Sequence, residues 1–117
     1  CFYHRSVGAA NVLNCLIFEG INFIEEYVFL DLPKSRFDFA IVENDTIVRL
    51  IVFDGIQHYS DRSGVWNRED SLERRQERDS RKNKWAFKNN IPLVRIPYWE
   101  RDNITYEMLF SNKYQIR

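Results

Sequence analysis

Residues 36–60 read RFDFAIVENDTIVRLIVFDGIQHYS. Two runs rich in aromatic and β-branched residues flank ENDT (43–46), a turn sequence, so residues 37–54 predict a β-hairpin. The second run, IVRLIVFD (47–54), is the most apolar of the chain's strand-like segments and belongs at the centre of a sheet. It ends abruptly in Asp54-Gly55, and Gln57 and His58 follow at once. A turn has use for Asp-Gly but none for a glutamine and a histidine directly afterwards.

Asp38 is a second anomaly in the same stretch. It sits between Phe37 and Phe39, so if both phenyl rings pack on one face of the strand, Asp38 projects from the other. A carboxylate inside an apolar strand is costly unless something pairs with it. Pairing through the 43–46 turn gives partner positions that sum to about 89, which sets Asp38 opposite residue 51 or 52. Asp54 then lies about one residue spacing further on. Two carboxylates converging on one sheet edge suit a hard divalent cation, Mg²⁺ (or Mn²⁺), which takes oxygen ligands and completes its shell with water and substrate phosphate. His58 has a side chain that can accept a proton from an attacking water near neutral pH, and Gln57 can orient that water.

Working outward, SVGAANVLNCLIFE (6–19) predicts a helix, with Ser6 as N-cap and Gly20 as its stop. FIEEYVFL (23–30) and SRFDFAIV (35–42) predict strands, residues 60–67 a loop, and residues 71–89 a long charged helix. IPLVRIPY (91–98) predicts a short strand and residues 103–112 a last helix. The order α-β-β-β-α-β-α predicts a single α/β domain over residues 1–117, with a mixed four-stranded sheet flanked by helices.

The long helix places Leu72, Gln76, Asp79, Asn83 and Ala86 on one stripe. Asp79 there is a candidate to support His58 or complete a metal shell, and Lys82, close by on the helix, to contact a scissile phosphate. The competing reading of Asp79 and Lys82 is a surface ion pair. Arg75, Arg78, Arg81, Lys82 and Lys84 add a basic surface, with Trp66, Trp85 and Trp99 in or near it, as nucleic-acid-binding faces have.

Formal net charge is zero, which argues against a simple basic nucleic-acid binder. The distribution is uneven: residues 19–54 are predominantly acidic and residues 81–101 predominantly basic. Carboxylates for a cation beside Lys and Arg for phosphates are what metal-dependent chemistry on a polyanion requires. No apolar run approaches a membrane span and no secretory signal is visible. Cys1 and Cys15 match neither a disulfide framework nor a zinc pattern, so an intracellular location is expected, in a cytoplasm, nucleoid or nucleus, with no membrane partner.

RFDFAIV, LIVFDGIQHY and RDSRKNKWAFKNNIPLVRIPYWE together resemble the PD-(D/E)xK nuclease superfamily, in the branch related to very-short-patch mismatch-repair endonucleases and to phage and intron homing endonucleases. The resemblance runs from about Ser6 to Leu109. It implies a restriction-endonuclease-like core and metal-dependent hydrolysis of DNA. By position it implies a metal-binding role for Asp38. Asp54, Gln57 and His58 fall in the family's Asp-Gly-x-Gln-His segment, with His58 as general base, and Asp79 matches the aspartate of the following helix. The sequence departs from the pattern where relatives carry a glutamate two residues before Asp-Gly, here Val52, and where their first helix opens Ser-Lys-Gly-Glu, here Ser6-Val7-Gly8-Ala9. The resemblance therefore leaves two expectations: an endonuclease domain, or a nuclease-fold DNA-binding or assembly module without catalysis. DNA is the expected partner in both. A homodimer or attachment to a larger protein would supply the recognition elements that so small a core lacks.

Overall fold

The computed structural model describes residues 7–54 and 72–116. Helix α1 (Val7–Phe18) leads into β1 (Phe23–Phe29), β2 (Leu32–Glu43) and β3 (Thr46–Asp54). Helix α2 (Leu72–Lys88), β4 (Leu93–Pro97), a 3-10 turn (Tyr98–Glu100), α3 (Tyr106–Phe110) and β5 (Gln115–Ile116) complete the elements of the described residues. The five strands form one mixed sheet in the order β1-β2-β3-β4-β5. Neighbours are antiparallel except β3 and β4, which run parallel with α2 in their crossover. The architecture is α/β, with a mixed sheet flanked by helices. Strand β5 is the difference from the four-strand expectation. Two residues are too short to show a period-two pattern, and β5 is defined by its pairing with β4 at Leu93 and Val94.

The local chemistry explains the element ends. Asn44 and Asp45 both take left-handed φ values, 52° and 61°, and close a two-residue hairpin between Glu43 and Thr46. Helix α1 stops at Gly20, whose φ of 70° allows Ile21 N–H to reach back to the Leu16 carbonyl. Asn90 closes α2 in the same way, with Ile91 N–H donating to the Ala86 carbonyl.

Period-two alternation divides the core between the two faces of the sheet. Phe39, Ile41, Ile51, Val94 and Ile96 pack against Val12 and Leu16 of α1 and Met108 and Leu109 of α3. Phe37, Ala40, Leu50, Val52 and Leu93 pack on the other side, against Ala86 of α2. Phe37 and Phe39 therefore lie on opposite faces, unlike the one-sided arrangement expected from spacing. The strand departs from regular alternation where β1 is also irregular: Glu26, in the neighbouring strand, has a φ of 51°. The displaced Phe37 ring packs edge-on against Phe29, at 5.7 Å between centroids, and beside Trp85 of α2 at 6.2 Å.

Helix α1 approaches the sheet closely at one point. A Cβ on Gly8 would collide with the ring of Phe53, so only a glycine lets α1 sit at this depth.

Candidate functional site

The α2 face of the sheet carries a cluster of charge. Asp54 has the same parity as Leu50 and Val52 on β3, and Arg95 the same parity as Leu93 on β4, so both side chains fall on the side covered by α2. Val52 is the parallel partner of Arg95, which puts Asp54 on the diagonal from it. From α2, Asp79 and Asn83, one turn apart, reach the same guanidinium.

Arg95 is the hub. Its Nε donates to Asp54 Oδ2 at 3.1 Å and its Nη2 to Asp54 Oδ1 at 2.6 Å, a two-pronged arrangement. The same Nη2 lies 3.1 Å from Asp79 Oδ2, and Nη1 donates to Asn83 Oδ1 at 3.2 Å. The Asp54 and Arg95 side chains are 7% and 8% exposed, so this is an ion pair largely withdrawn from water. Asp79 therefore faces inward to Arg95, and its charge also acts on Lys82, in a setting more buried than a surface pair.

Asp38 is held differently. Its Oδ2 accepts the backbone N–H of Phe53 at 2.7 Å, taking a ladder position that a strand carbonyl would otherwise fill. Among the described residues its second oxygen has no hydrogen-bond partner. Burial pushes the Asp38 carboxyl above its ordinary value; the Phe53 N–H and the charge of Lys82 oppose that, and Asp54 adds to it. Lys82 is the reciprocal case. Burial pulls its ammonium below the ordinary value, while Asp79 and Asp38 act to hold the proton. Its Nζ sits 5.6 Å from the centre of the Phe37 ring, a cation–π contact made possible by the turned-in position of that ring.

The structure thus brings Asp38, Asp54, Asp79 and Lys82 into one electrostatic neighbourhood. Gln57 and His58 lie outside the described residues, as does the side chain of Arg75. Arg81 is exposed and pairs with Glu77 of its own helix at 3.3 Å, and Lys84 is exposed on the same outer surface. Arg78 is half-buried. Val52, where the resemblance expects an acid, is 4% exposed and packs with Ala86 and Leu93. Ala9 is buried in the first turn of α1, whereas Val7 is 60% exposed.

Arg95 is not among the site residues that the sequence pattern predicts, yet the signal exists. A guanidinium inside LVRIP raises the same question as a carboxylate inside RFDFAIV, and a buried charge requires a partner of opposite sign.

Divalent-ion chemistry can be tested on this donor set. Asp38 fits Mg²⁺ or Mn²⁺: it offers an anionic oxygen with no partner among the described residues, and one carboxylate suffices when water and substrate phosphate complete the shell. Asp54 does not fit as the second ligand in this arrangement, because both of its oxygens face the Arg95 guanidinium. Among the described residues no three His, Cys, Asp or Glu side chains form a metal-holding group. No helix among those residues is long and apolar enough to cross a membrane. Comparison with family models, curated proteins and solved structures finds no match.

Proposed function

We propose that the chain is a metal-dependent endonuclease domain of the PD-(D/E)xK kind, hydrolysing phosphodiester bonds in DNA, with Asp38 as its metal-holding carboxylate. The observation that carries this reading is the anchored carboxylate of Asp38 in the electrostatic neighbourhood of Lys82. A carboxylate anchored through one oxygen to Phe53 N–H keeps the other oxygen unengaged among the described residues, within electrostatic reach of a partly desolvated lysine. That combination of a cation-binding anion and a phosphate-binding ammonium is what attack on a phosphodiester requires.

A bound Mg²⁺ or Mn²⁺ would polarise a non-bridging oxygen and help generate the attacking hydroxide. The chain's own groups do the rest. Lys82 offers a hydrogen bond and positive charge to the same phosphate, and its partial burial strengthens that attraction. The Phe53 N–H fixes the Asp38 carboxylate so that no reorganisation is needed on binding. His58, from the Asp-Gly-x-Gln-His segment, is the candidate to take the proton from water, and Gln57 to orient that water. Arg81, Lys84 and Lys88 on the exposed side of α2 supply contacts to the DNA backbone, which position without reading sequence. Asp54 and Asp79 serve indirectly, by holding Arg95.

The test is incubation with supercoiled plasmid and Mg²⁺ or Mn²⁺, beside an Asp38→Ala control. Nicking that needs the metal and disappears in the control is expected. Folded protein that nicks with neither metal would sink the proposal. A second reading, a DNA-binding or assembly module without catalysis, is favoured by Val52 and Ala9, apolar and buried where the resemblance expects glutamates. It predicts DNA binding that weakens with salt and no nicking under any metal.

A further inference from the structure

We infer that the guanidinium of Arg95 is the second cation of this centre, so that the described residues around it take at most one divalent ion, at Asp38. The count of one rests on the metal reading proposed above; the assignment of Arg95 does not.

The oxygens around Arg95 among the described residues come from three side chains. Asp54 supplies two, Asp79 one and Asn83 one, drawn from β3 and two successive turns of α2. Anionic and amide oxygens converging from separate elements are a donor set that a hard divalent cation would accept. Here a planar monocation occupies that position, and its fork geometry matches the Asp54 carboxylate edge. The charges nearly compensate. Asp54 and Asp79 bring two negative charges against one on Arg95, and Lys82 lies close enough to act on both aspartates. A divalent ion added beside the guanidinium would find no net negative charge left to hold it, and one replacing it would have to expel a side chain that is 8% exposed into an apolar layer. Asp38 escapes this saturation. Its hydrogen bond comes from the backbone, and its second oxygen stays unengaged among the described residues.

Phosphoryl chemistry often uses two metal ions, one on each side of the reacting phosphorus. In this chain the second positive centre is organic and permanent. It holds α2 to the sheet through Asp79 and Asn83. Those two residues bracket Lys82 on one face of the helix, so the same contacts set where the ammonium sits.

Mn²⁺ stoichiometry, read by electron paramagnetic resonance of free Mn²⁺, tests the inference on the wild type and on Asp79→Asn, Asp38→Asn and Arg95→Met. The wild type should bind no more than one Mn²⁺ that any of these substitutions displaces, unchanged by Asp79→Asn and lost with Asp38→Asn. Arg95→Met should gain one further equivalent, removed again in Arg95→Met/Asp79→Asn. Two ions on the wild type that these substitutions displace, or one that depends on Asp79, would overturn the inference. So would a folded Arg95→Met that gains nothing. If Arg95→Met does not fold, the comparison of wild type with Asp79→Asn decides alone. A wild type that binds no Mn²⁺, with Arg95→Met gaining one, would keep the assignment of Arg95 and defeat the metal role of Asp38.

Discussion

Replacing Asp54 with asparagine removes one charge and almost no volume, so it isolates the electrostatics of the buried fork. Two charge-assisted hydrogen bonds, at 2.6 and 3.1 Å, lose their anionic acceptor. Each is worth about 1.5–3 kcal/mol. Breaking one side of a buried pair costs about 3–5 kcal/mol, because the remaining charge is left without compensation. Arg95 retains Asp79 at 3.1 Å and Asn83 at 3.2 Å, which places the expected loss near the lower end, about 3 kcal/mol. A chain of 117 residues has a total stability of about 6–18 kcal/mol, so a large share would be gone. With a urea dependence of about 2 kcal/mol per molar, the unfolding midpoint should fall by about 1.5 M. Glu77→Gln, which breaks the exposed pair with Arg81, is the internal standard and should cost only about 0.3 kcal/mol. Asp54→Asn/Asp79→Asn/Arg95→Met should be milder than Asp54→Asn alone, since the guanidinium is removed together with both carboxylates that hold it. If Asp54→Asn and Glu77→Gln shift the midpoint equally, the Asp54–Arg95 pair is not the buried clamp argued for above.

Two further outcomes follow from particular contacts. Because the Asp38 carboxyl is raised above its ordinary 3.8, the folded chain holds that proton more tightly than the unfolded chain. Its stabilising contribution is present below that value and lost as pH rises through the folded pKa, so wild type should lose ground to Asp38→Asn with rising pH. Urea midpoints of both proteins across that range provide the check, and a difference that moves the other way refutes it. Gly8→Ala should destabilise by about 1–3 kcal/mol, offset in part by the helix preference of alanine, because its methyl group meets the Phe53 ring. In a Phe53→Leu background the same substitution should become neutral or favourable in thermal unfolding.

Much of the fold is legible in the chain because its central strands are apolar and bounded by distinct turn chemistry. The 43–46 turn, the hairpin it closes and the Gly-free helix before IPLVRIPY all follow from local pattern. Pairing sums of about 89 hold at Glu43 and Val42, and a bulge between Ile41 and Val42 moves the rest of the ladder by one. Such an irregularity leaves no trace in a period-two pattern, and neither does the left-handed Glu26 beside which Phe37 changes face. At the site, Asp38 stands out as a carboxylate within an apolar strand, and Asp54 because Gln57 and His58 follow it. Their partners do not stand out. Arg95 joins Asp54 across 41 residues, and nothing local to either states that the two are neighbours.

The parallel pairing of β3 with β4 also has a kinetic consequence. The β2–β3 hairpin closes through the two residues Asn44 and Asp45, whereas the Asp54–Arg95 contact must wait for the whole crossover to be laid down. Closing that larger loop is entropically costly and comes late. Weakening the late contact should accelerate unfolding and leave refolding almost unchanged, whereas strain at Asn44 or Asp45 should slow refolding. Stopped-flow folding and unfolding arms for Asp54→Asn and Asn44→Ala would show it, and a slowed folding arm for Asp54→Asn would contradict it. The guanidinium thus acts as a latch: it sets how long the assembled site persists, while the hairpin sets how soon it is found.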